Sequence, residues 1–75
     1  MFRVYPQDHE PRHVHGFTGD TEIIVDLGRD GTILLADRAD CIRPSNAKRS
    51  DVRKILQAAA EYFEELVALW EKMHA

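Results

Sequence analysis

The sequence predicts an α+β domain, an antiparallel meander of three or four strands packed on one face by one long C-terminal helix. Three observations carry this. Apolar residues alternate with polar ones over Thr21–Leu27. An Asp-Gly pair, Asp30-Gly31, follows that run and precedes another apolar run, Thr32–Ala36. From Asp51 to His74 there is neither glycine nor proline, and apolar residues recur alternately four and three apart. The chain of 75 residues divides into a sheet over 1–36, an irregular connector over 37–49 and a helix over 50–74, all in one domain over 1–75.

Met1–Tyr5 alternates loosely and is a short strand candidate, which Pro6 ends because proline has no N–H for a ladder. Gln7–Arg12 is a loop. His13–Phe17 reads as the second strand, with Gly16 a weak spot or bulge in it. After a turn at Thr18-Gly19-Asp20, Thr21–Leu27 points Ile23, Val25 and Leu27 one way and Glu22, Ile24 and Asp26 the other. In the connector, Pro44 prevents a long helix. Ser50 reads as an N-cap, and Asp51 suits the positive end of the helix dipole.

Along the helix, Val52, Leu56, Ala59, Phe63, Leu66, Trp70 and Met73 form one row and Ile55, Tyr62 and Leu69 a second. Together they span roughly 160°, wider than the roughly 100° stripe of a surface helix. A helix of about 24 residues is roughly 36 Å long, whereas a sheet of six-residue strands measures about 20 Å. Either the helix breaks near Ala58–Ala60 or its overhang packs on another chain. The expectation is a homodimer, with Tyr62, Leu66, Leu69, Trp70 and Met73 at the interface.

Composition narrows the class. A hydrophobic content of 44% excludes a disordered chain. One cysteine, Cys41, excludes a disulfide framework and reads as a small buried residue. No apolar run approaches the roughly 20 residues that span a bilayer, and the first residues lack a secretion signal, so a cytoplasmic domain without a membrane partner is expected. A chain this short buries only roughly 60% of its unfolded surface, which favours help from a partner or self-association. The net charge of −3 favours a protein partner over RNA. Arg43, Lys48, Arg49, Arg53 and Lys54 form a basic stretch that would favour RNA if the fold brought it beside the histidines.

Three of the four histidines fall in Asp8-His9-Glu10-Pro11-Arg12-His13-Val14-His15. In a strand, His13 and His15 share a face about 7 Å apart, and His9 lies in the preceding loop. Three imidazoles with Asp8 and Glu10 nearby suit zinc, which accepts three histidines plus water. The metal reading takes His9, His13 and His15 as ligands. An acid–base reading uses the same three for RNA cleavage, since histidine titrates near neutral pH, with Arg12 stabilising charge on phosphate. A structural or partner-binding role stands beside both.

These residues resemble domain of unknown function 4160, a family of small prokaryotic proteins. The matching segments are Tyr5–His15, Ile24-Val25-Asp26-Leu27 and Glu64-Glu65-Leu66-Val67-Ala68-Leu69-Trp70, and the likeness covers nearly the whole chain. Arg12 departs from it, standing where the family usually has a second proline. The resemblance implies a small protein encoded beside a partner, domain of unknown function 2442, in a toxin–antitoxin-like pair. A protein-binding module in such a pair is the first expectation for function, and an RNA-cleaving toxin-type enzyme the alternative.

Overall fold

The computed structural model describes residues 1–74. Five strands, β1 (Phe2–Arg3), β2 (His13–Thr18), β3 (Thr21–Leu27), β4 (Ile33–Leu35) and β5 (Ile42–Arg43), precede two helices, α1 (Arg49–Glu61) and α2 (Phe63–His74). The α+β class and the antiparallel meander are as the sequence predicts. The strands run in the order β1-β2-β3-β4, and β5 pairs with β3. β4 takes Val25–Leu27 and β5 takes Glu22 and Ile23, so two short strands share one edge of β3.

β3 has its expected bounds because alternation and flanking turns agree there. At the hairpin, Gly31 adopts φ +88°, a conformation that excludes most side chains. Asp30 Oδ1 accepts hydrogen bonds from the Thr32 amide at 3.1 Å and the Thr32 hydroxyl at 2.6 Å. β5 lies in what the sequence reads as connector. Two residues before a proline give too short a pattern to detect.

The pairing of β2 with β3 sorts the side chains. Val14 faces Val25 and Gly16 faces Ile23, all on the helix side. Ile55 and Ala59 of α1 and Leu66 and Trp70 of α2 close the same core. His13 and His15 pair with Asp26 and Ile24 on the opposite face. Ile24 is nonetheless buried, and on that side the Tyr5 ring packs edge-on against His15 at 4.8 Å.

The single long helix is a correction. The chain bends at Tyr62, whose φ of −105° and ψ of 26° leave the helical region. The hydrogen bonds continue on both sides, Tyr62 N–H to the Ala58 carbonyl and Leu66 N–H to the Tyr62 carbonyl, each at 2.9 Å. The bend is a kink in an otherwise continuous ladder. The whole molecule measures 34 × 24 × 19 Å, so a straight helix of roughly 36 Å would overhang it. The kink brings α2 back onto the core instead. Of the residues expected at an interface, Leu66 and Trp70 are 5% and 4% exposed and belong to the core, Leu69 packs partly buried against it, and Tyr62 and Met73 lie at the surface. Helix α1 starts at Arg49 with Lys48 as its cap residue, not Ser50, and makes no side-chain cap bond; Asp51 lies in the first turn as expected.

No described helix is long and apolar enough to cross a membrane.

Candidate metal centre

The alternation of β2 puts His13 and His15 on one face, and their partners fix how each ring is presented. His13 Nδ1 lies 2.8 Å from the Pro11 carbonyl. A carbonyl only accepts, so Nδ1 donates, and the lone pair of the neutral ring sits on Nε2. His15 Nδ1 lies 3.2 Å from Glu22 Oε2 on β3, and the same reasoning leaves its lone pair on Nε2. Both Nε2 atoms are buried and have no hydrogen-bond partner among the described residues.

Asp8 completes the group. Its Oδ2 lies 3.6 Å from His13 Nε2 and 3.4 Å from His15 Nε2. The carboxylate is held by a local turn: Oδ2 accepts from the Tyr5 amide at 3.1 Å, and the Asp8 amide donates to the Tyr5 carbonyl at 3.0 Å. From the other end of the chain, His74 Nε2 lies within hydrogen-bonding distance of the Asp8 carbonyl, at 2.9 Å. One carboxylate and two imidazole lone pairs thus converge, with all three ligand atoms within 4.8 Å of one another. With neutral rings all three are acceptors. Zinc bonds to nitrogen and oxygen at roughly 2.0–2.2 Å in tetrahedral geometry, which separates neighbouring ligand atoms by about 3.3–3.6 Å. The two Asp8–His distances match that spacing, whereas the His13–His15 separation, up to 4.8 Å, is wider and has to close on a bound ion. Bonds from Nδ1–H to a carbonyl and to a carboxylate are the outer contacts that orient metal-bound histidines.

His13 and Asp8 also line a cavity of about 480 Å³, with His9, Glu10, Asp26, Asp37 and Arg38 among its walls. Its carboxylates outnumber its cations. Burial pushes the Asp26 carboxyl above the ordinary carboxylate value and Asp37 adds to this, while His13 and Arg38 oppose it. The Arg38 guanidinium binds both oxygens of Asp40 at 2.7 and 2.8 Å, and Arg43 adds a third bond at 3.0 Å. Arg38 first and Arg43 second hold the Asp40 carboxyl down at about 2. None of Arg43, Lys48, Arg49, Arg53 and Lys54 lines the cavity.

Of the residues expected from sequence, the fold brings His13 and His15 together and leaves two outside. His9 is exposed on the loop, and Asp8 stands in the ligand group in its place. Arg12 straps the end of β3, its Nε donating to the Leu27 carbonyl at 2.8 Å and its Nη2 to the Gly28 carbonyl at 3.0 Å. That arginine also lies 5.9 Å from the Phe63 ring and serves packing. Sequence reasoning passed over Glu22 and His74 as site residues. Glu22 was within reach of the β2–β3 register; His74, 66 residues from Asp8, carries no local signal.

No curated protein and no solved structure matches the chain. The model of one family, described as domain of unknown function (DUF4160), matches residues 1–71 of the 75, from the first strand through most of α2. The chain therefore belongs to the DUF4160 family.

Proposed function

We propose that this domain binds a divalent transition metal, zinc by its ligand chemistry, through Asp8 Oδ2, His13 Nε2 and His15 Nε2. The observation that carries the reading is the pair of buried Nε2 atoms with no partner, both turned toward one carboxylate oxygen. A buried polar atom left unpaired costs about 1–3 kcal/mol, and a metal ion converts both costs into bonds. Three protein ligands leave a fourth position for water or a ligand, as in sites with an open coordination position. The acidic cavity beside His13 supports a cationic occupant. It gives little support to RNA cleavage, because phosphate would meet Asp8, Glu10, Asp26 and Asp37 there.

The test is thermal unfolding of chelator-treated protein with added zinc. At a free concentration a hundredfold above the dissociation constant, zinc stabilises by about 2.7 kcal/mol. At roughly 4–8 °C per kcal/mol for a domain of this size, the midpoint rises by roughly 10–20 °C. His13→Phe and His15→Phe each abolish the rise. No shift with zinc, cobalt or nickel removes the metal reading.

A second reading, the protein-binding module of a two-component pair, is favoured by β4. Among the described residues that strand pairs only on its β3 side, and its Leu34 and Leu35 are 66% and 36% exposed. An apolar edge strand invites a further strand from a partner or a second copy. Co-purification of a cognate small protein that is lost in Leu34→Lys supports this reading; retention in the variant counts against it.

A further inference from the structure

The last turn of α2 makes contacts that its role in the core does not require. His74 Nε2 lies 2.9 Å from the Asp8 carbonyl and His74 Nδ1 lies 2.9 Å from the Trp70 carbonyl one turn back; both carbonyls accept, so a neutral ring donates to one of them. The His74 and Trp70 rings stack, with centroids 3.7 Å apart and planes 20° apart. Trp70 also meets His13, centroid to centroid at 5.3 Å. A continuous set of contacts therefore runs from the carbonyl of one candidate ligand, through His74 and Trp70, to the ring of another.

We propose that the last turn of α2 is a working part of the metal site, with His74 a positioning residue that holds Asp8 at coordinating distance. This rests on the metal reading given above. The physical basis is that Asp8 sits on a loop between β1 and β2 with no strand pairing of its own. Its Tyr5 turn fixes the local shape of that loop. Among the described residues, the His74 bond is the one that ties the Asp8 main chain to an element beyond that turn. A carboxylate displaced by 1 Å would leave a two-histidine site, which holds zinc far less well than a three-ligand one. Zinc affinity and the docking of α2 are then linked in both directions, because a bond that favours the bound geometry is itself favoured by binding.

The experiment compares His74→Ala with Leu69→Ala. Leu69 packs against the core from the same helix and has no part in the contact chain, so its variant reports loss of α2 packing alone. Zinc affinity is measured by competition with a chromophoric chelator. His74→Ala is expected to weaken binding by roughly 10–100-fold, the range for contacts that orient metal ligands. Leu69→Ala retains wild-type affinity, and His74→Gln, whose amide N–H can still donate to Asp8, recovers most of the loss. A second measurement needs no metal: exchange of the Tyr5 and Asp8 amides quickens in His74→Ala and not in Leu69→Ala. Cobalt quenching of the single tryptophan, Trp70, gives an independent reading of occupancy beside His13. If wild type binds zinc and His74→Ala binds it equally well, or if Leu69→Ala loses as much, the positioning role is overturned. If wild type binds no zinc at all, the metal reading itself fails, whatever the amide exchange shows.

Discussion

Gly16→Ala tests which face of the sheet α1 covers, and through it which face is left for the histidines. Gly16 pairs with Ile23 on the helix side of β2. A Cβ built there overlaps Ile55 Cγ2 and lies 3.1 Å from Phe2 Cε1. Ordinary carbon contacts are about 3.5–4.0 Å, so α1 must lift or Ile55 must leave its rotamer. Ile55 is buried and cannot swing into solvent at no cost. Overpacking of this kind costs about 1–3 kcal/mol, offset by about 0.5–1 kcal/mol for removing a strand glycine. The net loss is about 0–2.5 kcal/mol, a fall of up to roughly 20 °C in the unfolding midpoint. The same substitution made on Ile55→Ala meets no Cγ2 and is neutral or stabilising, so the double-mutant cycle shows a coupling of at least about 1 kcal/mol. Urea unfolding of the four proteins measures it. Zinc affinity stays at the wild-type value, since the methyl points away from the ligands. A gain in stability from Gly16→Ala alone, or strictly additive effects, would refute the packing argument.

Other outcomes follow from burial and charge. Trp70→Ala costs about 3–5 kcal/mol of folding stability because the indole is in the core; full stability with a dimer reduced to a monomer would restore it to an interface. Asp26→Asn in metal-free protein changes stability with pH. The folded carboxyl binds its proton more tightly than the ordinary value of 3.8 allows. Its contribution is therefore full below that value and is lost as pH rises through the higher folded value. Asparagine removes the opposing charge, so the variant is more stable at pH 7 and equal to wild type under acid conditions. A variant less stable at pH 7 contradicts the burial of Asp26.

Much of the fold was legible because local signals agreed with tertiary ones. At Thr21–Leu27 the alternation, the Asp30-Gly31 turn and the buried face all specify one strand. The kink at Tyr62 was legible only as a conflict of lengths. No glycine or proline marks it, and its position is set by where α2 must turn to bring Leu66 and Trp70 onto the core. At the site, period-two spacing placed His13 and His15 together. The loop before them has no period, so nothing local distinguished His9 from Asp8 as the third member of the group. Glu22 entered through strand register and His74 through the kink, both products of the assembled fold.

The central claim is that Asp8, His13 and His15 bind one metal ion through Nε2 of both rings. Long-range proton–nitrogen NMR of the imidazoles, recorded before and after zinc, tests it most directly. The account predicts saturation at one zinc per chain, with the Nε2 signals of His13 and His15 moving to coordinated values. Both Nδ1 atoms stay protonated, held by the Pro11 carbonyl and the Glu22 carboxylate, and His9 does not change. Unaltered imidazole signals under excess zinc, or coordination through Nδ1, would contradict it.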